Sequence, residues 1–293
     1  MTQAERLREL IQTKDLVVAP GAYDAITAKL IEKAGFDAVY ITGSGISLTL
    51  LGQPDLNTVS YMELRERINS LLTAIDIPMI VDIDTGFGGP LSLIRLVQDF
   101  ERMGVAAVQI EDQRAPKRCG HELNRKVVSQ DEMEKRIRAI VDTRKGKDGL
   151  VIIARTDART TLGIDECIRR ANAYLSSGAD VIFVESPESK EEVVKIGREV
   201  KGPVLFNNVE GGRSPFMTQQ ELIDAGIKMT IYPNALTRIA VKSYQKLLNK
   251  LKQTGTTEGV WSDMLDHKEV WSLFDNQMWL AEESKYAPIE EGK

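Results

Sequence analysis

Short, almost wholly apolar runs alternate with amphipathic stretches along the whole chain. Eight runs read as strands, at 16–19, 38–42, 79–83, 105–110, 150–155, 180–185, 203–207 and 228–232. Most are apolar at every position instead of every second one, as expected of strands covered on both faces. Between them apolar residues recur at three- and four-residue spacing, which predicts helices over 60–74, 91–103, 131–144 and 165–176. Strand alternating with helix gives βαβ units and a parallel sheet.

A weak repeat marks the unit. Four helical patterns end in glycine just ahead of a strand, at Gly35, Gly104, Gly178 and Gly226. Glycine suits the left-handed residue that closes a helix. Eight such units close most naturally into an α/β fold of the (β/α)8, TIM-type barrel class. An open doubly wound sheet is the alternative, but no Gly-x-Gly-x-x-Gly fingerprint supports it.

Strand spacing shows where the barrel is elaborated. From Ala38 to Met79 the chain uses 41 residues, and from Val105 to Leu150 it uses 45. The surplus falls at 43–57 and 114–128, on the C-terminal face where barrel enzymes keep their chemistry. The barrel is expected over 1–252, with a last helix at 236–252. A C-terminal helical arm follows over 253–293, not an independent domain. That arm carries Trp261, Trp271 and Trp279, and Trp271, Phe274 and Met278 recur at helical spacing. Such a stripe packs either on its own barrel or on another subunit.

Composition narrows the partners. With 293 residues, 42% of them hydrophobic, the chain supports one large core. A net charge of −5 and the lack of a basic stripe argue against nucleic acid and acidic membranes. Two cysteines make no disulfide framework, and the charged amphipathic start does not read as a signal peptide. No apolar run is long enough to cross a bilayer. A cytoplasmic protein acting on a small molecule is expected.

The strand ends are more polar than a structural barrel requires. Asp82 and Asp84 point to one side of the third strand, and Glu111 and Glu185 end the fourth and sixth. Carboxylates converging on one mouth repel one another, and a hard cation relieves that cost. All-oxygen ligation selects Mg2+, with Mn2+ as the alternative, over zinc. Pairing of some acids with Arg155 or Arg159 is the competing account. Asn207 ends the seventh strand, and Arg155 and Arg238 each suit a substrate carboxylate. The turn Thr42-Gly43-Ser44-Gly45 offers backbone N–H groups to an anion.

The two cysteines read differently. Cys167 shares a helical face with Ile164, Ile168 and Ala171 and reads as a small core residue. Cys119 sits in a polar loop with Lys117, Arg118, Gly120 and His121, where neighbouring cations favour thiolate. A Ser–His–Asp triad lacks its Gly-x-Ser-x-Gly elbow.

Together these residues resemble the isocitrate lyase/phosphoenolpyruvate mutase superfamily, and within it the 2-methylisocitrate lyases. The resemblance rests on Gly52-Gln53-Pro54-Asp55, on Val81 to Gly88, on Ile110-Glu111-Asp112-Gln113, on Lys117-Arg118-Cys119-Gly120-His121 and on Ala154-Arg155-Thr156-Asp157. It implies Mg2+-dependent cleavage of (2R,3S)-2-methylisocitrate to pyruvate and succinate. Asp82, Asp84 and Glu111 would hold Mg2+, with Asp55 organising the metal shell. Thr42, Gly43 and Ser44 would cradle the pyruvate carboxylate, and Arg155, Glu185, Asn207, Gly120 and Arg238 would meet the rest of the substrate. Cys119 would protonate the departing enediolate, while Lys117, Arg118 and His121 offset charge. Phe183 and Pro233 would shape the wall that accommodates a methyl group. A homotetramer exchanging C-terminal helices is the implied assembly. Activity on 2,3-dimethylmalate, isocitrate or oxaloacetate, and phosphonopyruvate formation, are the alternatives.

Overall fold

The computed structural model describes residues 1–118, 120, 122 and 125–287. Eight strands form a closed parallel barrel in chain order. They are β1 (Val17–Ala22), β2 (Val39–Ile41), β3 (Met79–Asp82), β4 (Ala107–Glu111), β5 (Val151–Thr156), β6 (Val181–Val184), β7 (Val204–Asn207) and β8 (Met229–Tyr232). β8 closes on β1 through Val17 to Pro20. All eight expected strands are present, with ends displaced by a few residues.

Alternation within each strand feeds two cores. Tyr40, Ile80, Ile153, Phe183, Leu205 and Ile231 fill the barrel interior. Ile41, Val81, Val108, Ile152 and Ile182 instead face the helices and join the larger outer layer. The helices begin where their caps dictate. Ser60 accepts from the Glu63 N–H and opens Tyr61–Leu72, and Ser129 accepts from the Glu132 N–H and opens Gln130–Thr143. Gly35, Gly104, Gly178 and Gly226 all have positive φ, as the repeat required.

The helix Gln3–Thr13 closes the N-terminal end of the barrel, burying Leu7 and Ile11 against Val17, Ala38 and Val151. Arg8 and Arg144 both pair with Asp180 there, at 2.7 Å and 2.6 Å.

Two expectations change. The stretch 43–57 reads as a loop, but Gly43–Ile46 is one helical turn that runs into a wide-turned helix over Ser47–Leu51. Gly52, with φ 64°, ends it. The proposed stripe of Trp271, Phe274 and Met278 does not lie on one helix. Asp275, with φ 59°, separates His267–Leu273 from Asn276–Ser284.

Met1–Thr237 and Arg238–Lys293 are separate compact units, and the helix Ala235–Thr254 leads from one into the other. The sequence reading divides the chain at 252 instead. Within the second unit Trp261, Trp271, Met278 and Trp279 are exposed. Among the described residues no helix is long and apolar enough to cross a membrane.

Candidate active site

The C-terminal ends of β2 to β7 gather the charged side chains. At the end of β3, Asp82 Oδ1 accepts the Asp84 N–H at 3.0 Å and the Gln109 amide at 3.2 Å. Asp84 holds a positive φ of 50°, a strained conformation for a residue with a Cβ. Gly43 faces the same acids: a Cβ there would lie 3.4 Å from Asp82 Oδ2 and 3.6 Å from Asp84 Oδ1. The turn after β2 and the acids after β3 therefore share one wall. Thr42 is buried and caps its own turn, accepting the Gly45 N–H at 3.4 Å.

A cation of the chain stands among these acids. Lys117 Nζ lies 2.6 Å from Asp55 Oδ1 and 2.7 Å from Asp84 Oδ1, and its side chain is buried. Burial pushes the Asp84 carboxyl up to about 7, with Asp82 and Asp55 adding to the rise and Lys117 opposing it. Asp82 is raised for the same first reason, against the pull of Lys117 and Arg155.

Arg155, ending β5, is the second hub. It donates to Asp157 through Nε and Nη2, both at 2.8 Å, and lies 3.3 Å from both Glu111 and Glu185. Its guanidinium sits 5.1 Å over the Phe183 ring. Phe183 is thus the platform beneath Arg155 in the barrel interior, not a side wall. Arg159, by contrast, pairs with Glu188 and Glu192 and takes no part in the site. Burial drives Glu111 well above the usual carboxylate range, and Arg155 only partly offsets it.

Glu185 and Asn207 stand together, the amide donating to Glu185 Oε2 at 3.2 Å. Ser186, with φ 57°, donates its hydroxyl to the Gly120 carbonyl at 2.8 Å. Gly120 has no room for a side chain. A Cβ would come within 2.3 Å of Arg155 Nη2 and 2.6 Å of Glu185 Oε2. On the other side of the loop, the Gln113 side chain accepts the Arg118 N–H and donates to its carbonyl, both at 2.9 Å. It is the Arg118 backbone, with the side chain exposed, that meets the site.

Cys119 and His121 lie outside the described residues. Of the other expected residues, the structure brings Gly43, Asp55, Asp82, Asp84 and Lys117 into one group. Glu111, Gly120, Arg155, Glu185 and Asn207 form a second, linked to the first by Arg155 and Lys117. Ser44 lies in the turn beside Gly43. Arg238 belongs to the second unit. Cys167 is fully buried, as expected of a core residue.

Sequence reasoning passed over several residues. Asp157 is the main partner of Arg155, and its place two residues on, just past the end of β5, was the available signal. Asp112 points away from the mouth and accepts from Thr156, Tyr174, Arg170 and the Asp157 N–H. It braces β4 against β5. Arg125, on the return of the loop, is buried beside Asp157 at 3.4 Å, and single-sequence pattern gave no sign of it.

Among the described residues no three acidic, His or Cys side chains form a ready metal cluster. The donor chemistry still fits a hard cation. Glu111 Oε1 is buried and accepts no hydrogen bond among the described residues, and Asp82, Asp84 and Asp55 supply only oxygens.

Fold and site together define a (β/α)8-barrel enzyme with an acidic, lysine- and arginine-bearing mouth. The chain belongs to the phosphoenolpyruvate phosphomutase family, whose model matches residues 7–252, and so to the phosphoenolpyruvate mutase/isocitrate lyase superfamily. It is 46% identical to 2,3-dimethylmalate lyase of Eubacterium barkeri, over 98% of this chain and 99% of that one. It is 42% identical to 2-methylisocitrate lyase of Halalkalibacterium halodurans, over 92% of this chain and 88% of that one. Among solved structures it resembles a phosphonopyruvate hydrolase in complex with oxalate and Mg++. That match has a TM-score of 0.88 and 27% identity, covering 98% of this chain and 99% of the other.

Proposed function

We propose that the protein is a carbon–carbon lyase that releases pyruvate from a 2-hydroxy-2-methyl di- or tricarboxylate. Of the two related lyases, 2,3-dimethylmalate lyase is more similar over more of the chain, so 2,3-dimethylmalate is the first candidate substrate. The second is 2-methylisocitrate, which shares the same pyruvate half. The observation that supports the reading is Gly120 seated against Arg155 and Glu185, with its carbonyl accepting from Ser186.

Asp82, Asp84 and Glu111 would hold Mg2+, or Mn2+ in its place, with Asp55 beside them. Bound there, the ion would supply positive charge to the hydroxyl and carboxylate oxygens of the pyruvate half. The turn Thr42-Gly43-Ser44 lies against the same acids and would take the pyruvate carboxylate. Loss of the C2 hydroxyl proton lets the C2–C3 bond break. The carbonyl forms at C2, and the bonding electrons pass into the other fragment as an enediolate. C3 of that fragment then takes a proton, a role assigned to Cys119. Arg155 and Lys117 set the positive potential of the mouth, and Glu185 and Asn207 close its polar wall. His121 would complete the charge around the substrate.

The test is incubation with Mg2+ and each acid in turn, with products identified by NMR. Pyruvate with propionate from 2,3-dimethylmalate, or with succinate from 2-methylisocitrate, is expected. No pyruvate from either would sink the proposal, and a C–P product from phosphoenolpyruvate would replace it with the mutase reaction.

We also propose a homotetramer joined through the C-terminal unit, on the strength of its exposed tryptophans. A full-length chain sedimenting as a monomer would refute that.

A further inference from the structure

We infer that Arg125 is a carboxylate-binding residue of the candidate site, meeting the fragment that departs as the enediolate. The choice of fragment rests on the lyase reading above.

The Arg125 side chain is fully buried, and its Nε, Nη1 and Nη2 find no hydrogen-bond acceptor among the described residues. No other guanidinium among the described residues has all three nitrogens in that state. Its one ion-pair partner among the described residues, Asp157 Oδ1, is 3.4 Å from Nε. That oxygen already accepts from Arg155 Nη2 at 2.8 Å and from the Gln113 amide at 3.2 Å. One carboxylate therefore serves two buried guanidiniums. Arginine cannot shed its proton, and a buried charge without hydrogen bonds is strongly disfavoured.

An ion pair alone leaves the Arg125 donors unmet. A carboxylate accepts two of them in parallel, with the planar geometry a guanidinium presents. Arg155 does not compete for this role. Its donors are taken by Asp157, with Glu111 and Glu185 in reach.

Local structure fixes the side chain's origin. The Arg114 N–H donates to the Lys126 carbonyl at 2.8 Å, and Gln113 pairs with Val127 in an antiparallel bridge. Arg125 thus leaves a paired base and reaches Asp157, just beyond β5. The Gly43 turn and the acids proposed for the pyruvate half lie just after β2 and at the ends of β3 and β4, ahead of β5. Barrel order then gives Arg125 the other fragment.

The test titrates full-length protein in Mg2+ with propionate, succinate and oxalate, comparing wild type with Arg125→Gln by calorimetry. The affinity for propionate or succinate should fall about tenfold or more, while oxalate changes less than about twofold. Equal loss of all three ligands, no loss, or no binding of propionate or succinate by wild type would overturn the inference. If Arg125→Gln does not fold, Arg125→Lys keeps the charge without the planar fork. A smaller loss, still selective, is then expected. Selective loss without pyruvate release from either acid would sink the lyase reading but leave Arg125 as an anion site. Pyruvate release with parallel loss of all three ligands would do the reverse.

Discussion

Lys117 Nζ lies 2.7 Å from Asp84 Oδ1 and 2.6 Å from Asp55 Oδ1, so one buried ammonium serves two carboxylates at once. Burial pulls the lysine down, but Asp84, Glu111, Asp55 and Asp82 more than offset it and hold it above the ordinary lysine range. A raised folded-state pKa leaves this stabilisation whole below the unfolded value near ~10.4, and it is lost only at higher pH. It is therefore constant around neutrality. Lys117→Met should cost about 3–5 kcal/mol, because it strands buried carboxylates. Added Mg2+ should then raise the Tm of the variant more than that of wild type. Equal Mg2+ shifts in the two proteins would separate Lys117 from the metal site.

Arg155 is held by a two-point contact with Asp157 at 2.8 Å and by the Phe183 ring beneath it. Lysine keeps the charge but loses the fork, so Arg155→Lys should lower kcat/KM on the order of a hundredfold. Phe183→Leu leaves the fork intact and removes only the ring, worth roughly 0.5–2 kcal/mol. Its effect on pyruvate release should be milder. Arg155→Lys turning over within a few-fold of wild type would show that the fork is not required.

Much of this was legible in the chain itself. Continuous apolar runs located all eight strands, because burial on both faces removes polar residues from them. Strand ends exposed Asp82, Asp84, Glu111, Arg155, Glu185 and Asn207, because polar residues there serve no core. The partners of those groups were not legible. Asp55 meets Lys117 across 62 positions, a contact that barrel closure creates and local pattern does not carry. The helical turns over 43–51 were missed because glycine and threonine suggest a loop, and packing overrode that preference. The break at Asp275 escaped for the opposite reason. Apolar spacing continued across a residue whose left-handed backbone ends the helix.

Cys167 is fully buried in the helix Ile164–Ser176, and burial, with Asp112 behind it, pushes its thiol from 9.0 up to about 12. Iodoacetamide at mildly alkaline pH should label it only after unfolding. The sign for stability follows from the raised value. Below pH 9 the thiol is neutral in both states, and from there toward pH 12 the unfolded state alone ionises. Stability should fall over that window by at most about 1.4 kcal/mol per pH unit. Cys167→Ala should remove that part of the alkaline slope. An unchanged slope in denaturant melts would mean that the thiol is not the group responsible.

Asp180 offers a control at the opposite end of the barrel. It accepts from Arg8 and Arg144 at 2.7 Å and 2.6 Å and from the Ile152 N–H at 2.8 Å. These contacts tie the first helix and the chain leading into β5 to the start of β6. Nothing in the candidate site touches them, and the N-terminal face of a barrel serves stability, not chemistry. Asp180→Ala leaves two arginines and a buried N–H without their acceptor, which should cost about 2–4 kcal/mol. Thermal melts should show that loss, while kcat and KM at a temperature well below the transition stay at wild-type values. A fall in kcat without a fall in Tm would contradict the division of labour between the two faces.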